Sequence, residues 1–270
     1  MTKFLFYSVA FAMTFAGQVS AQVNNAPNKI CIDDVCSVIE TFESAELTDA
    51  PILLVALHGD YPFGRPSYHY RFAKRIAQES NNVIAVGITR PGYTDDFNRQ
   101  SDGVRGETVG DNYDAGRISQ IADVIRKLKE IHGTHYTVLT GHSGGAAITA
   151  KLTSSFPDLA DEAFVISCPC NINAWRADMY ERQQYQGFKG DIDVRSPVDM
   201  ANDVSDHMQT HIFVGDRDSN TQPYLSEQYY QRLLAAGKRA ELTVIEGRHE
   251  IFQAESVVEA VKKAVAEYGN

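Results

Sequence analysis

Six short runs, most of them almost wholly apolar, recur along the chain at residues 52–57, 82–89, 136–140, 163–167, 211–214 and 241–245, and the earlier ones end in turn residues such as His58-Gly59 and Pro91-Gly92. A strand apolar at nearly every position cannot leave one face in water, so these runs predict strands covered on both faces. Helix-like stretches fill most of the gaps, at 68–79, 113–131, 146–156 and 224–236, and an amphipathic helix over 257–268 closes the chain. Such alternation implies an α/β fold: a mostly parallel central sheet with helices on both faces. One stretch breaks the rhythm. Residues 171–209 hold Trp175, Tyr180, Tyr185 and Phe188 and read as a small lid insertion. No internal repeat or linker divides the chain, so residues 22–270 read as a single domain.

Composition narrows the functional classes. Of 270 residues 43% are hydrophobic and 22% charged, an ordinary globular balance that excludes disorder and fibrous repeats. Lys plus Arg number 25 against 35 Asp plus Glu. A chain this acidic lacks the electrostatic footprint for nucleic acid or an anionic membrane surface. No stretch of about 18 or more apolar residues predicts a membrane span. At the N-terminus Lys3, an apolar run over 4–17 and then Val19-Ser20-Ala21-Gln22 have the form of a signal peptide, residues 1–21, cut after Ala21. The expected mature chain has 270 − 21 = 249 residues and a formal charge of 24 − 35 = −11. It is expected to be exported, either periplasmic or secreted.

Export permits disulfides. Cys31-Ile32-Asp33-Asp34-Val35-Cys36 predicts a tight hairpin with Asp33-Asp34 at its tip, Ile32 opposite Val35, and Cys31 opposite Cys36 at a separation a disulfide can span. For Cys168-Pro169-Cys170 the spacing leaves free thiols and a labile bond both open. The four cysteines do not have zinc-site spacing, and none of the eight histidines stands in H-E-x-x-H or another ligand pattern. No metal and no cofactor are expected.

The chemistry is concentrated at Gly141-His142-Ser143-Gly144-Gly145, between a predicted strand and an Ala-rich helix. A sharp strand-to-helix turn needs small neighbours, lifts the serine hydroxyl above the sheet and leaves helix N–H groups facing an anion. A serine hydroxyl needs a base, and the base an orienting carboxylate. His249 follows the last predicted strand. Asp218 follows the fifth, with Asp216 two residues away as the competing acid. The order Ser143, Asp218, His249, each beyond the C-terminal end of a strand, resembles the α/β-hydrolase fold over nearly the whole chain from about Pro51.

That resemblance implies more. His58-Gly59 is similar to the family's oxyanion loop, which makes the backbone N–H groups of Asp60 and Gly144 the expected donors. Arg90-Pro91-Gly92-Tyr93 is similar to its R-P-G-Y/F-G turn, with Thr94 in place of the last glycine. The chain departs from H-G-G-G lipases at Asp60 and Tyr61, and the Asp60 carboxylate is expected to point away from the oxyanion or to meet a cationic part of the substrate. Ser196-Pro197-Val198-Asp199, the Gly215-Asp216-Arg217-Asp218 turn and Gly247-Arg248-His249 resemble prolyl-oligopeptidase-type peptidases and dienelactone hydrolases. Too little chain precedes Pro51 for one propeller blade, so a standalone catalytic domain is expected. The implied function is a secreted serine hydrolase that cleaves a small or medium carboxylic ester through a Ser143–His249–Asp218 acyl-enzyme mechanism. A peptide or amide bond is the alternative substrate, and a non-catalytic binding protein on the same fold is the alternative class. Trp175, Tyr180 and Tyr185 are the candidate substrate contacts, against the competing role of packing the lid.

Overall fold

A computed structural model describes residues 28–269; the expected leader and its cut site lie outside them. The chain runs through β1 (Lys29–Ile32), β2 (Val35–Glu43), β3 (Ile52–Leu57), α1 (Tyr68–Glu79), β4 (Val83–Ile88), α2 (Ala115–His132), β5 (Tyr136–His142), α3 (Gly144–Ser155), β6 (Glu162–Ile166), α4 (Ile172–Gln183), β7 (Gln209–Gly215), α5 (Pro223–Ala235), β8 (Arg239–Ile245) and α6 (Glu255–Tyr268). Eight strands form one sheet in the order β1-β2-β4-β3-β5-β6-β7-β8. The pairings from β4 through β8 are parallel, whereas β1–β2 and β2–β4 are antiparallel.

The pleat explains why β3 is apolar throughout. Leu53, Val55 and Leu57 pack on the side of α2, α3 and α5, while Ile52, Leu54 and Ala56 pack on the side of α1 and α6. Each of the six is fully buried. The chain steps from β3 to β4 in one direction and then crosses to β5 on the other side of β3. That reversal opens a crevice beyond the C-terminal ends of β3 and β5, the place where open α/β sheets bind ligands. Leu57 pairs with Gly141, so the segments following β3 and β5 leave the sheet side by side.

Two features differ from the sequence expectation. The Cys31–Cys36 hairpin has the expected register and carries a disulfide, but its second strand continues as β2 and pairs with β4 through Ile39 and Ile88. The hairpin is therefore an edge of the main sheet. Only the first part of the 171–209 stretch forms a lid, α4 followed by a short 3₁₀ turn at Gln186–Phe188. Beyond it Ala201, Val204 and Met208 join the core between the sheet and its helices. Cys168 and Cys170 are disulfide-bonded at the root of this lid. Among the described residues no helix is long and apolar enough to cross a membrane.

Candidate active site

Ser143 stands between the end of β5 and the start of α3, with φ 56° and ψ −123°. A non-glycine residue at positive φ is strained, and such strain persists only where the surroundings enforce it. Here they do. A Cβ on Gly145 would stand 2.5 Å from the Leu57 carbonyl oxygen, and one on Gly59 would stand 2.8 Å from Ser143 Cβ. The tight turn and the loop after β3 thus pack against each other only because both positions lack a side chain.

The acid is built by a local turn beyond β7. Asp218 Oδ1 accepts the N–H groups of Asn220 (2.8 Å) and Thr221 (2.9 Å), and Oδ2 accepts the Thr221 hydroxyl (2.8 Å). The remaining contact of Oδ2 is His249 Nδ1 at 2.9 Å. Burial raises the Asp218 carboxyl pKa, but these hydrogen bonds outweigh it and hold the group below its ordinary value. Asp216 goes elsewhere: its exposed carboxylate accepts the Gly247 N–H at 2.9 Å and braces the loop before His249. With the proton on Nδ1, His249 keeps Nε2 free to take another. Ser143 and His249 line the same cleft, with no hydrogen bond between them among the described residues; such bonds are often long before substrate arrives.

On the other side of Ser143 the N–H of Asp60 has no hydrogen-bond partner among the described residues. Gly144 opens α3, where helix geometry leaves N–H groups unpaired. The Asp60 carboxylate is held by partners within the protein. Its Oδ1 lies 3.0 Å from Arg90 Nη1 and accepts the Tyr93 hydroxyl at 3.3 Å, and its Oδ2 accepts the Tyr113 hydroxyl. Arg90 is 1% exposed and also donates to the His58 carbonyl. The protein itself supplies the countercharge, so the acid beside the expected oxyanion position is held by a buried guanidinium.

No protein-family profile matches this sequence, and no curated protein is significantly similar to it. Comparison of folds gives a different result. An esterase of Pyrococcus furiosus superposes with a TM-score of 0.66 at 17% identity, over 90% of this chain and 90% of that one. Est1E of Butyrivibrio proteoclasticus gives 0.65 at 15% identity, over 88% and 97%. The proline iminopeptidase of Mycobacterium smegmatis gives 0.66 at 12%, over 89% and 98%. This chain has the α/β-hydrolase fold. Identities this low establish the architecture and leave the substrate to be argued from the site.

The cleft above Ser143 has a volume of about 1040 Å³. Its lid wall is apolar: Trp175, Met179 and Phe188 are nearly buried and pack together with Leu225. Trp175 therefore does two things, facing the cleft and anchoring α4, since its Nε1 donates to the Asn220 carbonyl at 3.1 Å. Tyr185 lines the cleft and is half exposed. Tyr180 does not line it and packs against the lid's own core. Sequence reasoning overlooked Thr221, Met179 and Tyr113. A threonine three residues after an Asp in a turn was a readable signal for the first; nothing local points to the others.

Proposed function

We propose that this protein is an exported serine hydrolase that cleaves carboxylic esters by acyl transfer, its residues from 22 onward forming one catalytic domain. Ser143 attacks the ester carbonyl while His249 Nε2 takes the hydroxyl proton. The backbone N–H groups of Asp60 and Gly144 receive the developing oxyanion, an interaction worth roughly 3 kcal/mol per donor. His249 returns the proton to the leaving alkoxide, and a water molecule activated by the same ring releases the acyl group. Asp218 keeps the ring in the tautomer that these steps require. The observation that carries this reading is the 2.9 Å contact between Asp218 and His249 in a cleft shared with a serine on a strained strand-to-helix turn.

The cleft also bears on substrate size. Ligand pockets run to roughly 300–1,000 Å³, and this one reaches the upper end. The charged side chains on its wall, Arg71, Arg105, Glu107 and Glu250, are exposed at the mouth, while Asp60 is neutralised by Arg90. An ester with an uncharged, bulky or aromatic group suits the buried part better than an acetate or a charged peptide terminus does. Two disulfides in the described residues support an oxidising compartment.

The test is a fluorophosphonate serine probe on wild type and Ser143→Ala, followed by paired ester and amide substrates of one acyl group. Wild type should be labelled at Ser143 and should hydrolyse the ester faster. Ser143→Ala should lose labelling and about 10⁶ in kcat. A folded wild type inert to the probe points instead to a binding protein, and faster amide cleavage to a peptidase.

A further inference from the structure

The loop bearing Asp60 and the loop bearing His249 come from distant parts of the chain, yet three hydrogen bonds join them beside Ser143. Gly59 N–H donates to Tyr68 Oη at 2.5 Å. Tyr68 Oη lies 3.0 Å from His142 Nδ1, and His142 Nε2 lies 2.9 Å from the His249 carbonyl oxygen. The direction of each bond follows from chemistry. A carbonyl only accepts, so the His142 proton is on Nε2. Burial pushes the His142 pKa down to about 3, so the ring is neutral and Nδ1 is an acceptor. Tyr68 must then donate its proton to Nδ1, and its oxygen is left to accept Gly59 N–H. Every donor and acceptor in the line has a single assignment.

Further contacts pin the two ends. Ser167 Oγ donates to the same His249 carbonyl at 3.1 Å, and Gln253 Nε2 donates to the Tyr68 carbonyl at 3.2 Å. The Phe252 ring packs 5.9 Å from that of Tyr68 and 5.6 Å from that of His142. We propose that Tyr68 and His142 are positioning residues that hold the oxyanion loop and the His249 loop in register on either side of Ser143. The inference rests on the serine-hydrolase reading above. The physical reason is that base and oxyanion donors must meet the same carbonyl group at once, and a misplacement of about 1 Å can cost on the order of 100-fold in rate. In this motif the residue before the serine supplies the link, because its backbone belongs to β5 and its two ring nitrogens meet Tyr68 and the His249 carbonyl.

The experiment is a double-mutant cycle with Tyr68→Phe, His142→Leu and the double variant, assayed on p-nitrophenyl butyrate. Active sites are counted by fluorophosphonate labelling and folding is followed by Tm. Each single change should lower kcat per labelled site about 10- to 100-fold with KM within about twofold, and the double variant should be no worse than the worse single. Unchanged kcat per labelled site, or losses that multiply in the double variant, would overturn the proposal. Should His142→Leu fail to fold, Tyr68→Phe decides alone, because it keeps the ring and removes only the hydroxyl. Failure of the underlying reading looks different: wild type itself would neither label nor turn over.

Discussion

At the scale of single residues, two aspartates in one turn have separate tasks. Asp218 is buried with its oxygens saturated by Asn220, Thr221 and His249, whereas Asp216 is exposed and holds a backbone N–H two residues before His249. An amide at 218 can donate to His249 Nδ1 and so favours the wrong tautomer. Asp218→Asn should therefore lower kcat by about 10⁴ with little change in KM, less than the loss for Ser143→Ala. Asp216→Asn keeps an oxygen for the Gly247 N–H and should stay within a few-fold of wild type. Steady-state kinetics on an activated ester reads both, and the reverse ranking would transfer the orienting role to Asp216.

Among the elements, α4 is the one we propose sets the selectivity. It is capped by Asn171, whose side chain accepts the Ala174 N–H, and it presents Trp175 and Met179 to the cleft. Because Trp175 also anchors the helix through Asn220 and an edge contact with Phe188 at 5.5 Å, Trp175→Ala mixes a pocket effect with loss of packing. Met179 makes the cleaner probe. Met179→Ala enlarges the apolar wall, and the ratio of kcat/KM for a bulky aromatic ester over a butyrate should shift by roughly 10-fold or more, within the range a hydrophobic pocket change supports. Equal losses on all esters, with a lowered Tm, would reduce α4 to a structural cover.

For the molecule as a whole, three buried histidines set the response to acid. Burial, with His69 and Arg90 nearby, holds His58 well below its ordinary pKa, and burial brings His69 and His142 to about 3. All three are neutral in the folded protein and titrate near 6.5 once unfolded. The unfolded chain therefore takes up protons that the native state refuses as pH falls below ~6.5. Stability should drop through that window down to about pH 3, each ring adding a slope of up to about 1.4 kcal/mol per pH unit. Asp218, held low when folded, adds loss in the same direction below about pH 4. Urea midpoints at pH 7, 6, 5 and 4 measure this, and His69→Leu should flatten the profile by about one proton. A midpoint level from pH 7 to 4 would contradict the buried neutral histidines.

Local patterns sufficed for the frame. An apolar run such as 52–57 has no polar face to offer water, and small residues around Ser143 permit a turn that larger ones forbid, so the parallel sheet and the serine turn could be read directly. The chain order of serine, acid and histidine was readable for the same reason, since each follows a strand end. Long-range pairing was not. Whether the Cys31–Cys36 hairpin stands apart or edges the sheet depends on the match of Ile39 with Ile88. Which aspartate meets His249 depends on how the turn after β7 lies against the loop after β8. Asp60 finds its countercharge in Arg90, a residue that reads locally only as part of a turn. Half of the 171–209 stretch joins the core because a surface not encoded next to it in sequence buries its apolar side chains. Periodicity and sterics act between neighbours along the chain, whereas charge neutralisation and register are settled between segments that meet only on folding.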